Sequence, residues 1–440
     1  MPRLLIVSPH FPPVNAPDHQ RVRMSLPYLQ SLGWETTVLA VDPVSVEAVP
    51  DPLLTITIPA NSRVIYSRAC PVGLTRMIGI RGLAFRSLPF LLRTGDAILS
   101  REKFDLVYFS TTLFPVMVLG PHWFKRYQVP YIVDFQDPWL SDYDYGKTAL
   151  RPPGGGLKYG LNQLLAKIFE PRVLRSALGV TSVSPGYKKI LLKRYCWLKE
   201  EQFLVIPFGA AEEDFSCLEQ HPGKQSIFDS HDGKRHWVYV GRGGADMAFA
   251  LTAFFQALFR LRKKFPERFC ILKLHFIGTD YAPKGRAIKT VEPLAIEWGV
   301  RDLVEEVTTR IPYFEALQCL KDAEALIVFG SDDFHYTASK LYPYILARKP
   351  LLAIFHEQSS AVNVMKATKA GIVVTFGEMD GVESLSRAVE REIVRLFDVP
   401  AASTNTNWKV FEDYTARTMA SRLIHFFEAR LADFRTMLRG

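Results

Sequence analysis

The chain of 440 residues is long enough for two or three domains, and its apolar fraction of 48% excludes an intrinsically disordered protein. Its five cysteines lack the CxxC spacing of a zinc site and the framework of a disulfide-rich secreted domain, which indicates a reducing compartment. The opening "MPRLLIVSPHFPP" has too short an apolar run for a signal peptide, and no stretch approaches the ~18 apolar residues of a spanning helix, so we expect a cytoplasmic protein.

The net charge of +9 is concentrated in the first half of the chain. Residues 1–200 hold 24 Lys and Arg against 14 Asp and Glu, whereas the remainder is nearly balanced. The segment 74–93 mixes large apolar side chains with Arg76, Arg81, Arg86 and Arg93. This pattern fits either a basic surface that meets an anionic membrane at the inner face or an ordinary surface helix. No nucleic-acid-binding motif accompanies it, so we expect no nucleic-acid partner.

Short apolar runs alternate with helix-length amphipathic segments along the chain. The first series predicts strands at 3–9, 35–41, 104–110, 130–135 and 179–184, with a helix at 19–33. A second series predicts strands at 236–242, 270–278, 303–309, 325–331, 350–355 and 371–376, with a helix at 247–265. The closing stretch 411–431 predicts one amphipathic helix.

This alternation predicts an α/β protein with two Rossmann-like doubly wound domains that face each other across a cleft. The first domain covers residues 1–205 and is completed by the closing helix in 411–440, and the second covers residues 206–410. Ligands of such sheets bind beyond the carboxyl ends of the strands, so the loops after the predicted strands are where site residues are expected.

The loop after the first strand, "SPHFPPVNAPDHQRVR" (8–23), supplies three candidates for contact with a ligand. His10, Asp18 and Arg21 would lie over the cleft, although Asp18 is also a good N-cap for the following helix. The loop lacks the G-x-G-x-x-G pattern of a dinucleotide site, which disfavours an NAD-linked oxidoreductase.

The stretch "DFQDPW" (134–139) places two carboxylates at the end of a buried strand. Alternation along the strand sends Asp134 and Asp137 to opposite sides, and the deeper Asp134 is expected to accept hydrogen bonds from hydroxyl or backbone groups. Asp137, followed by Pro138 and walled by Trp139, would hold or deprotonate a substrate hydroxyl; the alternative is a turn-forming aspartate.

Two segments of the second half predict an anion site. Arg242 follows a strand in "YVGRGGADM" (239–247), and Lys340 stands at the start of a helix in "TASKLYPYILARK" (337–349). The alternatives are a flexible turn at Arg242 and a helix that Thr337 or Ser339 merely caps. We favour a site in which both cations bind one diphosphate.

Several motifs resemble those of the family-4 glycosyltransferases, which have the two-domain arrangement called GT-B. "VPYIVDFQDPW" resembles the "vDFRDPW" of one branch, "SALGVTSVSPGYKKIL" its "ad-x-vi-x-vS" strand, and "VIPFGAAEEDF" its "viPNG-x-D-x-x-F" linker. "YVGR" is similar to "yvGR", and "TASKLYPYILARKPLLAI" resembles the variant with "T-P-S-K-L-x-E-Y-L-A". The order and spacing of these matches extend over nearly the whole chain.

The resemblance implies hexosyl transfer from a nucleotide-sugar to an acceptor hydroxyl, with retained configuration and no essential metal or other cofactor. The first domain would bind a saccharide or lipid-linked acceptor, as in surface polysaccharide or glycolipid synthesis, and the second would bind the donor. Asp137 takes the place of a histidine near the reacting sugar, and the predicted catalytic residues are Asp137, Arg242 and Lys340. The predicted acceptor-binding residues are His10, Asp18, Arg21 and Trp139. The donor-site positions implied by the resemblance are Gly241, Arg242, Gly243, Arg310, Ile311, His335, Ser339, Lys340 and Leu341.

The sequence departs from the family pattern at four positions. The Glu-x₇-Glu pair falls on His335 and Pro343, a second basic residue falls on Met247, and the linker asparagine falls on Phe208. These departures leave two alternatives open. One is a non-catalytic GT-B protein that binds a glycan or a partner, and the other is a nucleotide-sugar epimerase using His10, Asp137 and His335. The donor base, the sugar and the acceptor are not determined.

Overall fold

The chain forms two α/β units. Unit 1 comprises Met1–Gly209 and Ala416–Gly440, and unit 2 comprises Ala210–Thr415. These bounds lie a few residues C-terminal to the predicted ones. The structure, a computed structural model, describes residues 1–77, 79, 82–140, 156–280, 287–332, 340–400 and 404–437.

Unit 1 is built on a parallel sheet with the strand order β3-β2-β1-β4-β5-β6-β7 in the described residues. Its strands are β1 (Arg3–Val7), β2 (Glu35–Val41), β3 (Arg63–Ser67), β4 (Leu106–Ser110), β5 (Tyr131–Phe135), β6 (Gly179–Ser182) and β7 (Phe203–Val205). Its helices are α1 (Gln20–Leu29), α2 (Leu53–Ile56), α3 (Val72–Arg76), α4 (Leu83–Arg101), α5 (Leu119–Tyr127), α6 (Gly156–Ser176), α7 (Pro185–Arg194) and α17 (Ala416–Met437).

Unit 2 has a second parallel sheet with the order β10-β9-β8-β11-β12-β13 in its described residues. The strands are β8 (Arg235–Val240), β9 (Leu272–Ile277), β10 (Val304–Val307), β11 (Ala325–Phe329), β12 (Leu351–His356) and β13 (Ile372–Phe376). The helices are α8 (Glu212–Gln220), α9 (Ala248–Lys264), α10 (Pro266–Phe269), α11 (Glu292–Glu297), α12 (Tyr313–Asp322), α13 (Leu341–Leu346), α14 (Ser360–Thr368), α15 (Val382–Asp398) and α16 (Trp408–Phe411).

The predicted doubly wound α/β class is confirmed. The central strands β4, β5 and β11 are buried along their whole length, as expected for parallel strands covered by helices on both faces. In both sheets the strand order reverses direction at the first strand of the unit, β1 or β8. Doubly wound sheets as a class bind ligands at the exits of strands next to such a reversal.

Some predicted elements differ from the observed ones. The edge strand β3 is absent from the predicted series, because its residues are mostly half-buried or exposed and form no continuous apolar run. The predicted closing helix at 411–431 is wrong at its start: Trp408–Phe411 is a separate short helix, Thr415 is extended, and α17 begins at Ala416. Among the described helices, none combines the length and the hydropathy needed to cross a membrane.

The last helix of the chain completes the core of unit 1. Phe427 on α17 is 1% exposed, and its ring lies 6.2 Å from Trp34 and 5.0 Å from Tyr108. The indole N–H of Trp34 donates to Glu428 at 3.4 Å. A helix that follows unit 2 in the chain therefore supplies part of the first unit's interior.

Candidate functional site

The loop at the exit of β8 lies against the neighbouring strand end. The N–H of Gly241 donates to Ile277 at 2.8 Å, and the N–H of Gly243 donates to Thr279 at 2.9 Å. Gly241 has φ +147°, and a Cβ there would lie 2.7 Å from the Lys340 Nζ. Glycine at this position therefore permits both the backbone turn and the approach of the lysine.

Arg242 follows directly and forms an ion pair with Asp246, four residues further along the chain. Its two terminal nitrogens donate to the two carboxylate oxygens of Asp246 at 2.7 and 2.6 Å. Burial opposes ionisation of Asp246, but the hydrogen bonds and charge of Arg242 outweigh it, so the pKa of Asp246 lies below the ordinary value. The sequence gives no direct signal for this pair except the spacing of four residues.

Lys340 lies against the same strand end. Its Nζ is 4.3 Å from the ring centre of Tyr239 and donates to the Tyr239 hydroxyl, which itself donates to the carbonyl of Arg242 at 2.6 Å. Burial, and then the charge of Arg242, lower the pKa of Lys340 to about 7, against an opposing contribution from Asp246. The structure therefore brings Arg242 and Lys340 together at one strand exit, through Tyr239.

Helix α13 is attached to β8 by a tyrosine in its second half. The Tyr344 hydroxyl accepts from the N–H of Val240 at 2.5 Å and donates to its carbonyl at 3.0 Å. Pro343 is tolerated because it lies in the first turn, where its missing N–H has no helical partner. Leu341 is 1% exposed, so its side chain belongs to the core. These contacts set the position of Lys340 at the helix start.

The other residues predicted to bind the nucleotide-sugar lie near the exit of β9 or outside the described residues. Arg310 and Ile311 follow β10 and are half-buried, and Arg310 lies beside Gly278, where a Cβ would be 3.9 Å from the Arg310 Cα. They thus lie next to the exit of β9, which neighbours β8. His335 and Ser339 fall outside the described residues, as does Thr337.

In unit 1, Asp18 and His10 form a pair at the exit of β1. The His10 Nδ1 is 2.9 Å from the Asp18 Oδ1, while the Asp18 Oδ2 accepts from the Thr111 hydroxyl at 2.9 Å. Burial alone would raise the pKa of Asp18, but His10 outweighs it and the pKa is about 2. Asp18 makes no N-cap hydrogen bond to α1, whose N-cap is His19. Asp18 is 2% exposed, so its carboxylate is enclosed in unit 1 and contacts His10, and it does not lie over the ligand site as predicted.

Arg21 is buried inside unit 1 and does not lie over the ligand site as predicted. Its Nε donates to Asp134 at 2.8 Å with both side chains fully buried, and its other donors reach the carbonyls of Ile206 and Pro207. The guanidinium also lies 5.0 Å from the ring centre of Phe208, the linker residue that departs from the family pattern. Arg21 thus connects β5 to the segment after β7 through an ion pair and hydrogen bonds inside unit 1.

Asp134 accepts the hydroxyl hydrogen bonds that the sequence predicts for it. The donors are Thr181 at 2.6 Å and Ser110 at 2.9 Å, joined by the Gln136 amide at 2.9 Å. The pairing with Arg21 leaves no local signal in the sequence, because the two residues are 113 positions apart.

Asp137 and Trp139 occupy opposite environments. Asp137 is exposed in the bend after β5, as its proposed role requires. Trp139 is only 8% exposed and stacks on Phe114 with ring centres 5.5 Å apart. The prediction that Trp139 walls the acceptor therefore differs from the structure, in which this indole packs in the core of unit 1.

The described arginines of the basic segment 74–93 have two kinds of placement, one buried and the others exposed. Arg86 is 3% exposed and donates to the carbonyls of Cys70 and Ser45, so it joins the loops after β2 and β3. Arg76 and Arg93 are exposed, and Arg81 lies outside the described residues. Among the described residues, no group of His, Cys, Asp and Glu is arranged to hold a metal ion.

One segment of the chain matches a known domain family. Residues 19–209 match the Glycosyl transferase 4-like domain. No curated protein sequence matches the chain significantly. The matched residues cover most of unit 1, including β5 and β6, which contain Asp134 and Thr181.

Solved structures share the fold over essentially the whole chain at low identity. Anabaena Alr3699/HepE in complex with UDP and glucose has a TM-score of 0.57 and 15% identity, over 98% of this chain and 100% of the other. The alpha,alpha-trehalose 6-phosphate synthase from Burkholderia multivorans has a TM-score of 0.61 and 11% identity, over 100% and 99%. A Listeria monocytogenes protein assigned as a UDP-N-acetylglucosamine 2-epimerase has 0.51 and 12%, over 98% and 97%. The fold is therefore GT-B, and the domain match supports a glycosyltransferase.

Proposed function

We propose that this protein is a glycosyltransferase that moves a sugar from a nucleotide-sugar to an acceptor hydroxyl. The observation that supports this most strongly is the convergence of Arg242 and Lys340 on the exit of β8, in a fold whose ligands bind at strand exits. Transfer leaves the nucleotide diphosphate with an additional negative charge. Two preorganised cations stabilise that charge, and each such donor contributes about 3–4 kcal/mol to the transition state.

Unit 1 supplies the groups that act on the acceptor. Asp18 holds the Nδ1 of His10, so the Nε2 of His10 is the ring nitrogen left to contact an acceptor hydroxyl. Asp137, exposed after β5, orients the same hydroxyl. The reaction retains the anomeric configuration and requires no metal ion or other cofactor, as the resemblance to family-4 glycosyltransferases implies; the transferred group is a hexose.

The acceptor is a saccharide or lipid-linked molecule of surface polysaccharide or glycolipid synthesis, and the protein works at the cytoplasmic face of a membrane. Three apolar side chains in the segments that follow β2 and β3 support membrane contact: Val44, Leu74 and Met77 are 95%, 67% and 85% exposed. We call them the apolar tip. Arg86 joins the two loops that carry them.

The charge around the apolar tip favours an anionic bilayer as its partner. The stretch 68–95 contains five arginines and no Asp or Glu, and Arg68 and Arg76 are exposed. Each arginine near an anionic surface contributes about 1 kcal/mol to binding. Apolar insertion and charge attraction together provide the two contributions that stable peripheral binding needs.

Sedimentation with liposomes tests the membrane contact. Vesicles containing phosphatidylglycerol should bind the protein, and vesicles of phosphatidylcholine alone should not. Arg68→Ala with Arg76→Ala, or Met77→Asp, should weaken binding at least tenfold. Met379→Asp provides the matched control, because Met379 is 98% exposed in unit 2. Equal loss in the control variant would refute a specific surface in unit 1.

A nucleotide-sugar screen with Arg242→Ala and Lys340→Ala tests the main proposal. The wild type should be stabilised by one nucleotide diphosphate and its sugars, and each variant should lose at least a hundredfold in transfer. The exposed Arg395, paired with Glu392, and the exposed Lys366 serve as matched alanine controls. Wild-type turnover in both site variants would exclude the proposed role of the cations, and no response to any nucleotide would favour a non-catalytic binding protein.

A second candidate function is nucleotide-sugar epimerisation. The His10–Asp18 pair offers an acid–base group of the kind that such chemistry requires. Release of free nucleotide diphosphate that depends on an added acceptor favours transfer. Isomerisation of the sugar without an acceptor favours the epimerase.

A further inference from the structure

Asp246 occupies the position on Arg242 that a ligand phosphate would use. The paired N–H···O contacts of 2.7 and 2.6 Å have the fork geometry with which an arginine binds either a carboxylate or a phosphate. The low pKa of Asp246 keeps it ionised at neutral pH. The strand exit proposed to bind a diphosphate thus contains its own anion.

The surrounding backbone holds Asp246 in this position. The carbonyl of Asp246 accepts from the N–H of Asp332 at 2.9 Å, and the N–H of Met247 donates to Gly244 at 2.9 Å. The ion pair packs directly over Gly244: a Cβ there would lie 2.1 Å from the Asp246 Oδ1 and 2.3 Å from the Arg242 Nη1. The pair is therefore part of a defined loop conformation.

The pair is nevertheless accessible to a ligand. The Arg242 and Asp246 side chains are 31% and 21% exposed, in contrast to the Arg21–Asp134 pair at 0% and 0%. A partly solvated pair in high dielectric is weak enough to exchange partners. Lys340 lies beside it and adds positive charge that favours an incoming anion over a single carboxylate.

We propose that Asp246 is a specificity-determining residue that competes with the ligand's phosphate for Arg242. This inference rests on the proposed function. After exchange the carboxylate stays nearby and repels the ligand in proportion to its charge. A free nucleoside diphosphate carries about one more negative charge at neutral pH than the same diphosphate esterified to a sugar. Asp246 therefore disfavours the diphosphate product more than the donor and promotes product release.

Calorimetric titration of the full-length protein with inorganic pyrophosphate, UDP and UDP-glucose tests this inference. Asp246→Asn keeps the shape and removes the charge, so pyrophosphate and UDP should bind at least tenfold tighter, and UDP-glucose should gain less. Asp246→Ala should behave in the same way, which separates loss of charge from new amide contacts. Thermal melting of each variant verifies folding.

Asp302→Asn is the matched control, because Asp302 pairs with Arg262 at 2.7 Å in the same unit. It should leave all three affinities unchanged. If the wild type binds UDP and both Asp246 variants bind it equally or more weakly, the competition is excluded while the proposed function stands. If no protein, wild type or variant, binds any of the three anions, the role of Arg242 and Lys340 fails as well. Binding by the Asp246 variants alone supports the competition.

Discussion

Two arginine–aspartate pairs show how burial decides what an ion pair can do. The Arg21–Asp134 pair is fully enclosed and surrounded by hydroxyl donors, so breaking it would leave a buried charge unpaired. The Arg242–Asp246 pair is partly exposed and lies at a strand exit. The first is therefore structural, and the second is the pair that we propose to exchange with a ligand.

At the same scale, Lys340 should make anion binding dependent on pH. Its pKa of about 7 means that the amine of the unliganded protein is mostly neutral above pH 7, while a bound diphosphate favours the protonated form. Binding then takes up a proton, and the affinity for pyrophosphate should fall by up to tenfold per pH unit between pH 7.5 and about 9. Within the described part of the chain, Arg242, Asp246 and Tyr239 are the charged and titratable groups found to interact with this amine.

Calorimetry in buffers of different ionisation enthalpy measures that proton uptake. Lys340→Arg keeps the positive charge at every pH used, so its affinity for pyrophosphate should not show this fall over the same range. An equally steep dependence in Lys340→Arg would assign the titration to another group.

At the scale of elements, the attachment of α13 to β8 controls where Lys340 lies. Tyr344→Phe removes both hydrogen bonds of the hydroxyl to Val240 and leaves a backbone N–H without that partner. We expect a loss of about 1–3 kcal/mol in the free energy of unfolding and weaker pyrophosphate binding, because Lys340 stands at the start of this helix.

Chemical denaturation and calorimetry measure the two effects of Tyr344→Phe. Tyr414→Phe is a suitable control, since this tyrosine stacks on Tyr342 with ring centres 6.0 Å apart and belongs to the same unit. If Tyr344→Phe loses stability but binds pyrophosphate as the wild type does, the hydrogen bonds between Tyr344 and Val240 do not position Lys340.

At the scale of the whole molecule, each unit has its own core, and the chain supplies unit 1 from both of its ends. Phe427→Ala removes a ring packed on Trp34 and Tyr108, and should destabilise unit 1 by about 3–5 kcal/mol. Phe397→Ala is the counterpart in unit 2, where this ring lies 4.9 Å from Trp237 and 5.6 Å from Phe269.

Amide hydrogen exchange followed by mass spectrometry resolves the two units. Each substitution should lower protection mainly in its own unit. A uniform loss of protection over both units in either variant would show that they unfold as one cooperative body.

Much of the fold follows from local patterns in the sequence. The buried parallel strands β4, β5 and β11 are continuous apolar runs, and α9 is a long amphipathic segment, so the predicted bounds of each agree within a few residues. Edge strand β3 and the break before α17 escape prediction, because half-buried residues and a single extended residue leave little trace in hydropathy.

The candidate site divides in the same way. The sequence by itself determined which residue types follow the strands, and so pointed to Arg242 and Lys340, because strand exits are where such sheets bind ligands. Only the tertiary structure decided their partners. Tyr239 links the two cations, and Asp246 forms an ion pair with Arg242. Arg21 and Trp139 are buried inside unit 1. Burial and pairing arise from contacts between residues far apart in the chain, and hydropathy along the sequence does not specify those contacts.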